Sequence, residues 1–369
     1  MNRRNAAFTL VELMIAMAIV MMVLYAAINF FIVSVRQYKV QTKITETNVE
    51  GILGLELLRQ DLESLGFGLP WNIDNAVSYT ERTSGSAALL ALNDAPTNAP
   101  RAVLSINNAM FNNSDYLVIK SARVGMSDAA GKWTTLTQAN NKRTWNPATE
   151  NLGNNDYVIV LALGSTDANR RSLVTSGTDY STLSSATANY VPVEPYSANI
   201  VYGIDNVQPV RPFNRAEYFI DNAAVPQRCA PNTGVLVKAV VAHNGAGSTP
   251  TLLPLLDCVA DMQMEYGLDN TTLPDGVVDA WSSDISVMTA ANIRAQLLEV
   301  RVSILAQEGQ RDDSYAYPYD NISVGSAGAG GPFVFASHGF TSSGNVMNNF
   351  KHYRWKVYNI VVKPKNLAQ

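Results

Sequence analysis

Charge and metal-binding side chains are scarce in this chain of 369 residues. Only 16% of positions are Asp, Glu, Lys or Arg, and 27 basic residues against 31 acidic ones leave a net charge of −4. With no long basic run, the sequence lacks the phosphate-neutralising surface of a nucleic-acid binder. Two cysteines and three histidines leave few ways to build a His/Cys metal cluster or a histidine-based triad. His243, His338 and His352 are too widely separated in sequence to suggest a site by themselves. No G-x-S-x-G or H-E-x-x-H pattern occurs. These shortages argue against an enzyme. Disorder is excluded by a hydrophobic content of 47%, and the length allows two or three domains.

What the chain does have is one long apolar run. From Phe8 to Val35 the only ionisable charge is Glu12. As a helix this stretch of about 28 residues would span roughly 42 Å, more than the ~30 Å hydrocarbon layer of a bilayer. It is expected to cross a membrane. Arg3 and Arg4 precede it, but Arg36, Lys39 and Lys43 follow it, so counting positive charges does not settle orientation. A secretory signal peptide fits poorly, because its apolar region ordinarily ends after about 7–15 residues and is followed by a small-x-small cleavage site. A carboxylate in this setting costs a few kcal/mol unless it reaches the interface or finds a partner.

The short basic leader Met1–Ala7, then Phe8-Thr9-Leu10-Val11-Glu12-Leu13 opening the apolar helix, resembles the N-terminus of type IV prepilins. The resemblance implies cleavage between Ala7 and Phe8 by a dedicated prepilin peptidase, and methylation of the new Phe8 amine. It also implies that Glu12 neutralises the Phe8 amine of a neighbouring subunit during assembly. Ala7 departs from the family pattern, which usually has Gly there; a small residue still fits, with slower processing as the expected consequence.

Beyond the apolar run, Val40, Ile44, Ile52, Leu55, Leu58, Leu62 and Leu65 recur at helical spacing, with Lys39, Lys43, Glu46, Glu50, Asp61 and Glu63 between them. The spacing predicts one helix of nearly 60 residues, apolar over 8–35 and amphipathic over 36–65. Gly51 and Gly54 are candidate bend points, and Gly66-Phe67-Gly68-Leu69-Pro70 is the stop. Leu62–Gly68 also resembles the helix end of large PilW-type minor pilins.

The region from 66 to 369 reads as a β-rich head. Strands are expected at Arg101–Ile106, Tyr116–Lys120, Tyr157–Leu163, Asn199–Ile204, Ala216–Ile220, Gly234–Ala242, Cys258–Tyr266, Gln296–Ala306 and Arg354–Val362. Residues Gly164–Asn189 are expected to be surface loop, and Asp284–Arg294 a short helix or turn capped by Asn292. Two similar segments before Tyr116 and Tyr157 are turns into strands, since no fixed period continues. From about 196 onward the order of motifs resembles the C-terminal half of PilW-like proteins: Glu217–Ile220, Gly234–Lys238, Val259–Gly267, Val300–Val302 and Tyr353–Trp355. The Asn/Ser/Thr-rich part from about 71 to 195 resembles nothing recognisable.

The pilin reading places the head in an oxidising compartment, so Cys229 and Cys258 are expected to form a disulfide worth roughly 3–4 kcal/mol for a loop of about 29 residues. Asp269, Asp275 and Asp279 lie on an acidic turn, but a calcium loop wants ligands where Thr271 and Leu273 stand; a polar hairpin turn is the favoured reading. Gly325–Pro332 lacks a Lys-Ser/Thr ending and reads as a loop rather than a phosphate cradle. Tyr315, Tyr317 and Tyr319 alternate at strand spacing and are expected to pack in the core or at an edge.

The expected fold class is α+β: a long N-terminal helix, transmembrane then amphipathic, packed on a large antiparallel pilin-like head. The expected function is that of a minor pilin that primes or caps a type IV pilus, without catalysis or cofactor. The partners implied are other minor pilins, the major pilin, the prepilin peptidase, the inner-membrane assembly platform and, before assembly, lipid. No nucleic acid is expected. A periplasmic head on a single inner-membrane span, ending at the pilus tip, is the implied location. A pseudopilin of a type II secretion system and a membrane-anchored adhesin head are the alternatives.

Overall fold

The computed structural model describes residues 9–74, 77–164, 170–175, 178–205, 209–243, 250–271, 274–326, 331–344 and 346–367. The first element is the helix α1, Leu10–Glu63, uninterrupted over 54 residues. Its start is a capping box: Thr9 Oγ1 accepts from the Glu12 N–H, and the Glu12 carboxylate accepts from the Thr9 N–H at 2.9 Å. It ends where Gly66 and Gly68 both take left-handed φ, +76° and +69°, a conformation that strains residues with a Cβ.

The head is built on an antiparallel sheet of eight strands. In chain order these are β1 (Val103–Ile106), β2 (Tyr116–Ser121), then, after an insertion, β8 (Asn214–Asp221), β9 (Gly234–Val241), β10 (Thr251–Leu268), β11 (Ala280–Ser282), β12 (Leu297–Glu308) and β15 (Arg354–Val362). The spatial order is β1-β2-β8-β9-β10-β12-β15, with β11 beside the end of β10. Leu55, Leu58, Leu62 and Leu65 of the helix side bury against Leu117, Ile119, Tyr218, Leu236, Met262, Met264, Val302 and Ile304 of this sheet. That apolar contact is the main core.

Between β2 and β8 the chain leaves the main sheet and forms a second antiparallel sheet. It comprises β3 (Trp133–Thr137), β4 (Tyr157–Leu163), β5 (Arg170–Leu173), β6 (Ser181–Thr182) and β7 (Ala198–Gly203), with helix α3 (Leu183–Asn189). The segment 164–189 therefore contributes strands and a helix, not only loop. Its short, polar strands lack a strong alternation, which is why composition alone hides them. Phe67 against Tyr202, with ring centroids 5.0 Å apart, ties this sheet to the end of α1.

The far face of the main sheet is covered in parts. The segment 79–101, with the short helix α2 (Ala87–Leu90), is held by buried ion pairs as well as by Leu92, which packs on Leu104, Tyr116 and Val118. Lys120 and Arg215, both fully buried, reach Glu81 at 2.8 and 2.7 Å, and Lys120 also meets Asp94 at 2.6 Å. At the other end an aromatic cluster, including Phe333, Phe335, Phe350 and Trp355, packs on Ala260 and Leu305. It is carried by the strands β13 (Asn321–Ser323) and β14 (Pro332–Val334) and the loops around them. Tyr317 is buried there, whereas Tyr319 is exposed, and neither lies in a strand. Helix α4 (Ala290–Gln296) starts at Thr289, whose side chain accepts from the Asn292 N–H; the cap is Thr289, not Asn292.

Candidate functional site

The feature that sets this chain apart is how unevenly α1 is covered. From Leu10 to Val33 every large apolar side chain is exposed, and among the described residues α1 alone is long and apolar enough to cross a membrane. Leu55, Leu58 and Leu62, by contrast, are buried. A helix that is apolar all round and uncovered needs lipid or other helices around it.

Glu12 sits in the first turn of this apolar helix. Its carboxylate accepts from the Thr9 N–H and, at 3.0 Å, from the Thr9 hydroxyl. It therefore already serves its own helix as a cap while remaining exposed. Ala7 and Phe8 lie outside the described residues.

The lower half of α1 differs from the amphipathic reading in two respects. Ile52, counted on the apolar stripe, is exposed along with Val49 and Leu53. Gly54 is not a bend: a Cβ there would lie 1.9 Å from the Leu255 carbonyl oxygen, so the helix and β10 meet backbone to backbone. Asp61 belongs to the buried face. Its carboxylate takes the Lys238 ammonium at 2.5 Å and a hydrogen bond donated by the Tyr218 hydroxyl. In sequence Asp61 reads as one of the charges between the apolar positions, and only its nearness to Leu58 and Leu62 points to the buried face. Further contacts tie helix to head: Thr47 Oγ1 accepts from the Gly309 N–H at 3.1 Å, and Lys365 meets Glu63 at 2.7 Å.

Cys229, in the turn after β8, and Cys258 of β10 are joined by a disulfide. Asp269 behaves as a turn acid: its carboxylate accepts from the N–H groups of Asp275 and Gly276 at 3.0 and 2.9 Å and from the Thr271 hydroxyl. Asp279 accepts from the Asn270 N–H. Among the described residues no group of three or more His, Cys, Asp or Glu could hold a metal ion.

Other charges are buried without a local sequence signal: Asp261 alternates with apolar neighbours along β10, whereas Asp115 and Glu81 lie outside the strands. Asp115 is fully buried and accepts from the Asn108 and Met264 N–H groups; burial nonetheless pushes its pKa up to about 7. Burial likewise pushes Asp261 up to about 6. Burial also disfavours the Glu81 carboxylate, but the charges of Lys120 and Arg215 outweigh it and hold that group at about 2.

Two family models match the chain. The prokaryotic N-terminal methylation motif matches residues 2–28, and Type IV Pilus-assembly protein W matches residues 217–366, from β8 to beyond β15. No curated protein and no solved structure matches it. An uncovered N-terminal helix with a methylation motif, carrying an antiparallel head, defines a membrane-anchored pilin-like protein. The two matches support a PilW-type, pilin-like protein related to the type IV pilus.

Proposed function

We propose that this chain is a minor pilin that is cut between Ala7 and Phe8, methylated at the Phe8 amine, and assembled with other minor pilins to prime or cap a type IV pilus. The observation that carries this reading is the division of α1: its N-terminal turns are apolar and uncovered, and its C-terminal turns are locked to the head. Such a helix can exchange lipid for neighbouring helices without disturbing the head. The head is held in the periplasm before assembly, and Glu12 meets the amine of a neighbouring subunit. A head of roughly 300 residues would crowd a fibre in which every subunit carried it, which favours a minor component at the tip. The match to Pilus-assembly protein W favours the pilus over a type II secretion pseudopilin.

The test is the N-terminal mass of the protein from membranes and sheared fibres, with and without the prepilin peptidase. A chain beginning at methylated Phe8 only when the peptidase is present supports the reading. An intact Met1 in both strains makes the chain a static anchor. Co-purification with secretion-machinery subunits instead of pilus subunits would transfer it to the other assembly.

A further inference from the structure

On the outer face of β10, Asp261, Gln263 and Glu265 follow one another at strand spacing, all buried, while Met262, Met264 and Tyr266 face the core. Glu265 is occupied by the Ser326 hydroxyl and N–H. Asp261 and Gln263 instead line a cleft of about 380 Å³, bounded by Asn108, Asn112, Asn113, Pro332, Phe333 and His338. That volume lies in the lower part of the ~300–1,000 Å³ range of small-molecule sites.

The floor of this cleft is short of one partner. Gln263 is only 4% exposed, and its Nε2 donates to the Asn113 carbonyl at 3.1 Å and to the Asp261 carboxylate at 2.9 Å. Both neighbours are acceptors, which fixes the amide's orientation. Its Oε1 then has no hydrogen-bond donor. A buried acceptor left unpaired is costly unless something donates to it.

The walls are held independently of any ligand. Asp115 clamps the Asn108 N–H and the Met264 N–H, and the Asn112 amide donates to the carbonyls of Asn232 and Ala260. On the other side His338 stacks on Phe333, 4.2 Å between centroids and 10° from parallel. Little ordering would accompany binding.

We propose that this cleft binds a saccharide. A carboxylate, amides and an acceptor lacking a donor suit neighbouring hydroxyls, while the stacked Phe333–His338 pair and Pro332 offer an apolar wall to the C–H face of a sugar ring. A divalent cation fits less well, because Asp261 is the single carboxylate in the lining and such ions take six or more oxygens. The inference rests on this geometry and stands whether or not the chain enters a fibre.

The full-length chain in a zwitterionic, non-glycosidic detergent would be screened by saturation-transfer NMR. The probes are methyl pyranosides of glucose, galactose and mannose, their N-acetylhexosamine counterparts, and calcium alone. The expected result is saturation transfer to at least one pyranoside, with affinity reduced at least tenfold in Gln263→Met and in His338→Ala. His338 lies at the rim, so its variant keeps the test alive if the floor variant misfolds; unchanged circular dichroism and melting certify each. No transfer to any pyranoside, equal affinity in well-folded variants, or a response to calcium only would overturn the proposal.

Discussion

Lys238 of β9 places its ammonium 2.5 Å from the carboxylate of Asp61, two residues before the last residue of α1. Both side chains are almost wholly buried, so this ion pair, with the Tyr218 hydroxyl, joins the end of the assembly helix to the centre of the head. Removing one partner strands the other charge in the interior, at a cost of about 3–5 kcal/mol. We expect Asp61→Leu to lower stability by that order in denaturant unfolding, and the double variant with Lys238→Met to recover much of it. A double variant no better than the single one would mean that the pair contributes little beyond packing.

Gly54 gives a second lever on the same joint. A methyl group at this position overlaps the Leu255 carbonyl, which belongs to backbone and cannot rotate away. Gly54→Ala should raise helix propensity and still destabilise the protein, by about 1–3 kcal/mol or more. Thermal melting of the variant at or above the wild-type value would show that helix and sheet separate easily.

Glu12 has two roles that one pair of substitutions can separate. Glu12→Ala removes the cap on Thr9 together with the charge, whereas Glu12→Gln keeps a capping side chain and removes only the charge. Membrane insertion should survive both, since the apolar run from Leu13 to Val33 is unchanged. Incorporation into sheared fibres should fall several-fold in both. Normal incorporation of the Gln variant alone would reduce Glu12 to a helix cap.

The disulfide closes a span of 29 residues between Cys229 and Cys258. Replacing both by Ala should lower stability by roughly 3–4 kcal/mol in the chain-entropy description. The shift in denaturation midpoint, at unchanged denaturant slope, is the quantity to compare.

Asp115 makes stability depend on pH in an unusual direction. Its folded pKa, about 7, lies above the ~3.9 of an unfolded Asp. Between those values the folded state holds a proton that the unfolded state has lost, so stability falls as pH rises through this window and levels off above it. The contribution is at most about 1.4 kcal/mol per pH unit. Asp115→Asn should remove it, seen as a flatter difference curve between pH 4 and 7; an unchanged slope would place the proton elsewhere.

Much of this was legible along the chain, because the signals are local. An apolar run of bilayer length, the Phe8-to-Glu12 spacing, the glycines that end α1, and alternating strands such as β12 depend on periodicities that neighbouring residues impose. In the second sheet β4 and β7 were legible as apolar runs, whereas the short strands β3, β5 and β6 were not, since they are defined by pairing with distant partners. The same holds for the buried polar residues. Asp61, Lys120, Arg215 and Gln263 look like solvated charges or amides in sequence, and each has a partner far along the chain: Lys238, Glu81, Glu81 and Asn113 respectively. Sequence by itself determined that this chain carries a membrane-length helix and a β-rich head. Only the tertiary structure decided which polar groups are desolvated together, because burial and pairing are properties of where strands meet.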